Sequence, residues 1–298
     1  MNIGIDIRSI MYGNYTGIGE YTYQLLDHVF RIEHDADYFL FCNSQKPVRL
    51  PNWESKRVSV TKFGYANKAL HASLLSFGFP KLQEMTERKR GIKIDRIFLP
   101  NQNFFRPRPS DRLTITVHDL SFVRFPNFFP RLHRLWHHAV NLHALVERAE
   151  QVIAVSEHTA QDLRELWKIP ANKIHVSYPG LDPMFLLDAA RDDEVKRKYD
   201  LPESYLFFLG TLEPRKNCEA VIQAFDRLAA KYPRLHLVFA GGWGWETQGI
   251  KSALAASSHR DRIKLLGYVD RQDKPALYRL ATAFCYPSFY EGFGFPVL

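Results

Sequence analysis

The chain has 298 residues, a length that favours two domains, and its 46 % hydrophobic and 24 % charged residues are an ordinary globular composition. No apolar run approaches the roughly 18 residues a membrane-spanning helix needs, which argues against an integral membrane protein. The formal net charge of +8 favours anionic partners, but the densest basic run, Glu87-Arg88-Lys89-Arg90 with Lys81 and Lys93 nearby, is short and reads as a solvated face.

The N-terminal Met1-Asn2-Ile3-Gly4-Ile5-Asp6-Ile7 has no basic start and carries an acid within its apolar run, so it reads as a strand and not a signal peptide. Cys42, Cys218 and Cys285 are widely spaced, which favours a reducing, cytoplasmic setting over a disulfide framework or a zinc site. After the first strand come Gly13-Asn14-Tyr15-Thr16-Gly17-Ile18-Gly19 and a helix expected from Glu20. Strand, glycine loop and helix suit a nucleotide-binding turn, or the glycines only make the turn. It is no dinucleotide fingerprint, because the third glycine position holds Thr22. Residues 38–42 read as a strand and 58–60 as a weak one. Residues 63–92 read as helix and loop with an apolar stripe through Leu70, Leu74, Leu75 and Phe77. A strand at 94–99 ends at Pro100. The stretch 101–109 is a cleft loop or a plain proline-rich connector.

Apolar residues from Leu113 run up to His118 and Asp119, at the strand edge where open α/β sheets place ligands. His118 there can donate a hydrogen bond to a sugar or move a proton, or it can simply be bonded to a nearby carbonyl. Asp119 reads as orienting the loop. Apolar residues at 132, 135, 136, 139, 140 and 146 predict one helix with a buried stripe. His133 and His137 stand four apart on it, but no His-Glu-x-x-His pattern accompanies them, so they read as packing or solvated histidines. Residues 151–155 form a strand, Ser156 caps a helix, and 173–176 form the next strand. Strand–helix alternation to this point implies a parallel sheet covered on both faces.

The charged, glycine-poor stretch 186–200 reads as a linker with a short helix. Residues 205–210 then open a second domain as a strand ending in Gly210. Arg215 and Lys216 follow, at a strand edge beside a helix N-terminus, with Glu213 as the acidic neighbour. They suit a diphosphate, or are two solvated bases in a turn. A strand with a glycine loop spans 237–244, and another strand runs through 263–269. A helix at 273–281 leads to the apolar run 280–285. The last stretch holds Glu291-Gly292-Phe293-Gly294. It suggests a ligand loop carrying Glu291 and a helix aimed at a phosphate, although an ordinary strand-to-helix turn has the same pattern.

Taken in order, these motifs resemble those of the retaining glycosyltransferases of family four. Glu291-Gly292-Phe293-Gly294 is similar to the nucleotide-sugar loop, whose family pattern is Glu-Gly-Phe-Gly-x-x-x-x-Glu. Gly17-Ile18-Gly19 resembles a loop near the transferred sugar and donor phosphates. Val117-His118-Asp119-Leu120-Ser121 resembles the run whose histidine lies beside the donor sugar. The run from Gly210 to Arg215-Lys216-Asn217 resembles the diphosphate clamp, and Gly267, Tyr268 and Val269 stand where backbone groups seat the base.

The resemblance implies an α/β fold of the GT-B type, with two doubly wound Rossmann-like domains facing across a cleft. An N-terminal acceptor-side domain would span 1–185, a linker 186–200, and an incomplete nucleotide-sugar domain 201–298. The implied reaction moves a hexose, with mannose favoured, from a nucleoside diphosphate sugar to an acceptor hydroxyl, with retention, in polysaccharide or glycolipid synthesis. GDP-mannose is favoured over UDP- or ADP-sugars. His118, Arg215, Lys216 and Glu291 would serve catalysis, with Glu291 holding sugar hydroxyls. Gly17, Gly19, Gly210, Gly267, Tyr268, Val269, Gly292, Phe293 and Gly294, with the two cations, would hold the donor. No metal and no cofactor besides the donor is expected. The expected partners are the donor, a sugar or lipid-linked oligosaccharide acceptor, and a membrane surface at its inner face, with no nucleic acid. A nucleotide-sugar epimerase on the same fold, or a non-catalytic or inactive nucleotide-binding fragment, are the other readings. The second glutamate of the pattern would be the next residue after Leu298. As written, the chain is therefore expected to bind nucleotide poorly and transfer slowly. Its second sheet, lacking later helices, is expected to expose apolar strands at 205–210, 237–240 and 282–286.

Overall fold

The computed structural model describes residues 1–12, 17–32, 35–53, 57–186 and 189–298. The strands are β1 (Asn2–Asp6), β2 (Asp37–Asn43), β3 (Val58–Phe63), β4 (Arg96–Leu99), β5 (Leu113–Val117), β6 (Gln151–Ala154), β7 (Ile174–Val176), β8 (Ser204–Leu209), β9 (Leu235–Ala240), β10 (Ile263–Leu265) and β11 (Ala283–Phe284). The helices are α1 (Gly17–Arg31), α2 (Asn67–Phe77), α3 (Leu82–Arg90), α4 (Ser121–Arg124), α5 (Arg131–Val140), α6 (Leu142–Arg148), α7 (Glu157–Trp167), α8 (Asp192–Lys198), α9 (Cys218–Ala229), α10 (Gln248–Ala256) and α11 (Lys274–Arg279). They fall into two compact units. One comprises Met1–Leu120 and Leu132–Pro179, the other Ser121–Arg131 and Gly180–Leu298. The division thus lies at 179/180, and the eleven residues after Leu120 go with the second unit. The stretch read as a linker contains α8, which buries Val195 in the second unit's core.

The first unit is built on a seven-stranded parallel sheet ordered β3-β2-β1-β4-β5-β6-β7. The order reverses between β1 and β4, and in such sheets ligands bind beyond the strand C-termini at the reversal. One of its core clusters joins Ile5, Ile7, Leu40 and Tyr38 of the sheet region to Leu26 of α1.

The second unit carries a four-stranded parallel sheet, β10-β9-β8-β11, reversing between β8 and β11. Strand side chains alternate between faces. Leu206 and Phe208 therefore join Leu237 and Phe239 against α9 and α10, through Val221, Ile222, Phe225, Ile250 and Leu254. Tyr205 and Phe207 join Val238 and Ala240 on the other face, with Val195 of α8 and Ala276 and Leu277 of α11. Both faces of β8 and β9 are covered, so the expected exposure of apolar strands at 205–210 and 237–240 does not occur; only Ala283 of β11 is exposed.

Three further expectations need correcting. Helix α1 begins at Gly17, so Gly17 and Gly19 lie in its first turn, while residues 13–16 are outside the described residues. The single helix expected through 131–146 is two, broken at Asn141, which is left-handed (φ 51°, ψ 58°) and caps α6 by accepting from the Ala144 amide at 3.2 Å. Of its stripe only Val140 and Val146 are buried, with Leu142 and Leu145 of α6 buried beside them. Leu132 and Leu135 are 77 % and 63 % exposed, on a side of α5 left open among the described residues. Leu70 and Leu74 are buried as expected, but Leu75 and Phe77 are not, because they leave the shared face as α2 ends at Gly78.

Candidate active site

The reversal between β8 and β11 brings two loops together that are about 75 residues apart in sequence. β8 ends at Gly210. The next loop starts where Gly241 lies against it so closely that a β-carbon on Gly241 would stand 2.0 Å from the Gly210 carbonyl oxygen. The Gly210 amide donates to Ala240 (2.9 Å) and the Gly241 amide to Gly267 (2.7 Å). The loops after β8, β9 and β10 are thereby laced through three glycines, which only a missing side chain permits. Gly242 passes beneath the Tyr268 ring, itself 78 % exposed.

After β8 the chain makes a 3-10 turn at Pro214–Lys216. It turns left-handed at Asn217 (φ 56°) and enters α9. This presents Arg215 and Lys216 towards the loop after β11. Arg215 donates to Glu213 (2.6 Å) and to the Tyr290 carbonyl (2.8 Å), and pairs with Glu291 at 3.0 Å. Lys216 donates to Glu291 and to the Tyr286 hydroxyl, both at 2.5 Å. The Phe289 amide donates to the Arg215 carbonyl (2.9 Å), and the Asn217 side chain donates to that of Pro287 (3.2 Å). Glu291 thus bridges both cations, which corrects the expectation that Glu213 is their one acidic neighbour.

Burial shapes the charges here. It raises the Glu213 pKa, with Arg215 and Lys216 only partly offsetting it. It lowers that of Lys216, helped by Arg215 and opposed by Glu291. Burial alone would raise Glu291 too, but Lys216 and Arg215 outweigh it and hold its carboxyl below the ordinary range. The Tyr286 hydroxyl is pushed far up by burial and then by Glu291. The result is two carboxylates and two cations in a largely water-excluded pocket of charge. An incoming diphosphate can take the charge-assisted bonds that Glu291 now holds.

Gly292 is buried. Gly294 is left-handed (φ 85°) and leads into a 3-10 turn at Phe295–Val297, where a helix was expected. Val269 packs at the margin of the second core. In the first unit, His118 follows β5. Its Nε2 lies 2.9 Å from the Pro100 carbonyl, and its ring meets Tyr21 edge-on at 4.8 Å. A carbonyl only accepts, so neutral His118 carries its proton on Nε2 and leaves Nδ1 as an acceptor. The bond to a nearby carbonyl, one of the readings the sequence leaves open, is therefore present, and the remaining ring nitrogen can only accept. Burial lowers its pKa, against smaller pulls from Pro100 and Asp119. Gly19 is buried and Gly17 exposed in the first turn of α1.

Sequence reasoning missed Tyr286 and Tyr290. Both adjoin the glutamate motif, but their partners lie in the turn after β8. It also missed the aromatic residues of 121–131, whose membership in the second unit has no local signature.

Two parallel α/β sheets, with a cation-bearing loop beside a Glu-Gly-Phe-Gly loop at a strand reversal, define a glycosyltransferase of GT-B fold. The chain belongs to glycosyltransferase family 4. The family described as Glycosyltransferase Family 4 matches residues 15–185, and that described as Glycosyl transferases group 1 matches 191–298. The chain is 28 % identical to O-antigen chain mannosyltransferase B of Escherichia coli over 291 residues, which is 95 % of this chain and 75 % of that protein. It is 31 % identical over 166 residues to the serotype-specific mannosyltransferase WbdA of Escherichia coli, covering 53 % of this chain and 20 % of WbdA. Among solved structures it resembles sucrose-phosphate synthase from Thermosynechococcus elongatus (TM-score 0.69, 19 % identity, covering 99 % and 77 % of the two chains). It also resembles Anabaena HepE in complex with UDP and glucose (TM-score 0.64, 17 % identity, covering 100 % and 77 %).

Proposed function

We propose that this enzyme transfers mannose from GDP-mannose, with retention, to a hydroxyl of a sugar or lipid-linked oligosaccharide in polysaccharide or glycolipid synthesis. The carrying observation is the Glu291 carboxylate held between Arg215 and Lys216. Arg215 and Lys216 take the charge that develops on the leaving diphosphate. Glu291 turns to the sugar hydroxyls, backbone groups of Gly267, Tyr268 and Val269 meet the base, and His118 accepts from a sugar hydroxyl. Both oxygens of Glu291 are engaged by cations. That supports a binding role over attack on the anomeric carbon, which glycosidases achieve with two carboxylates about 5 Å apart. The two side-chain cations do the work a divalent metal would do, so transfer proceeds in a chelator. The mannose assignment is supported by the named activities of the relatives in Escherichia coli.

Among the described residues, no helix is long and apolar enough to cross a membrane. A peripheral contact at the inner membrane face is supported by Leu132, Leu135 and Trp136, exposed on α5 beside Arg131 and Arg134. The test is a nucleotide-sugar panel by thermal shift, followed by transfer assays with and without acceptor. GDP-mannose should give the largest shift and transfer only with acceptor. Free mannose from donor alone would favour an epimerase. A larger shift with UDP- or ADP-sugars would remove the GDP-mannose assignment.

A further inference from the structure

The segment 121–131 leaves β5 of the first unit and belongs to the second. Three aromatic contacts to the rest of that unit and one hydrogen bond are described for it. The Trp245 indole N–H donates to the Phe128 carbonyl at 2.7 Å, and Phe129 stacks on the Trp245 ring at 5.6 Å. Phe128 stacks on Phe289 (5.4 Å) and on Phe125 (5.5 Å), and Phe125 meets Tyr290 edge-on (5.7 Å). Phe289 and Tyr290 are the two residues before Glu291. Their other side is bonded to Arg215, through the Phe289 amide and the Tyr290 carbonyl. The backbone leading to Glu291 is thus gripped between the diphosphate-side turn and this segment.

We infer that Phe125, Phe128 and Trp245 are positioning residues for Glu291. They act by fixing 289–290, from which the carboxylate is hung. A glycine follows Glu291 at once, so the loop has no stiffness of its own on that side. Without the aromatic grip, Glu291 keeps its ion pairs but loses a fixed direction, and a misplacement of about 1 Å costs a reaction roughly a hundredfold. The catalytic consequence rests on the function proposed above; the positioning itself does not.

The test uses the full chain and the variants Trp245→Ala, Trp245→Phe and Phe125→Leu. Hydrogen exchange is followed at the amides of 288–292 and, as a fold control, in β8 and β9. In Trp245→Ala the 288–292 amides should exchange about tenfold faster or more, with β8 and β9 within about twofold of the parent. Trp245→Phe keeps a ring and loses the N–H, and Phe125→Leu keeps bulk and loses the edge contact; both should fall between. With GDP-mannose, kcat should drop about ten- to a hundredfold while donor KM stays within about threefold. Unchanged exchange at 288–292, or equal acceleration there and in β8 and β9, overturns the inference. If Trp245→Ala does not fold, the two conservative variants decide it by the same criterion. If the parent chain transfers nothing, the function proposal fails and the exchange data alone decide the positioning.

Discussion

At the scale of single residues, the bridge of Glu291 to Arg215 and Lys216 makes opposite predictions for affinity and turnover. Glu291 competes with a diphosphate for the two cations. Glu291→Gln should therefore bind GDP several-fold more tightly by calorimetry, yet transfer far more slowly, because the sugar loses its carboxylate partner. Weaker GDP binding in that variant would show that Glu291 supports the nucleotide. Arg215→Ala and Lys216→Ala should each cost roughly 2–4 kcal/mol of transition-state stabilisation with little loss of thermal stability. Turnover equal to the parent at saturating donor would remove both from catalysis. His137 carries a pH prediction. Burial pushes its pKa from 6.5 down to about 4. Between those values the unfolded chain binds the proton and the folded chain does not. Its contribution is complete above about pH 6.5 and is lost as pH falls towards 4. Urea midpoints measured across that window should fall less steeply in His137→Leu than in the parent; parallel slopes would refute it.

At the scale of elements, two backbone positions carry more than their side chains. Asn141 ends one helix and caps the next in a left-handed conformation. Asn141→Ala loses the cap and strains the backbone, and should cost about 1–2 kcal/mol in denaturant unfolding. Asn141→Gly should cost less, because glycine tolerates that conformation; the reverse order would show that the turn is not the cause. Sequence periodicity read one helix here because the apolar spacing continues through 140–146 and a single asparagine does not interrupt it. The same periodicity overestimated burial, since an amphipathic face predicts where a helix can be covered and not whether something covers it. By contrast, β8 was legible as an apolar strand, and α8 and α11 supply the face that the sequence reading had left open.

At the scale of the whole molecule, the net charge of +8 and the exposed Leu132 and Leu135 lead to a prediction about surfaces. Binding to vesicles containing anionic lipid should weaken as salt rises, because exposed charges are screened within about 10 Å at 0.1 M. Leu132→Glu with Leu135→Glu should reduce it further, as read by co-sedimentation. Retained binding in that double variant would place the contact elsewhere.

The sequence by itself determined what is local. It placed the strands of both sheets to within a few residues, the parallel α/β class, and the candidate residues Arg215, Lys216 and Glu291 of the second unit and His118 of the first. Strand alternation, glycine turns and basic residues after a strand are short-range patterns, and they are set by the backbone and by the solvent. Only the tertiary structure decided which of those groups meet. Glu291 reaches Lys216 across 75 residues because β11 lies beside β8 and not beside β10. No stretch of chain encodes that adjacency alone. It follows from the edge-to-edge pairing of β11 with β8, Ala283 beside Leu206 and Phe284 beside Phe207, and from the helices that cover the sheet. The tertiary structure likewise decided that His118 spends its Nε2 proton on Pro100, and that 121–131 stacks on the residues before Glu291. Contacts between distant segments depend on the closure of a whole core, whereas residue patterns report only what each segment can offer to it.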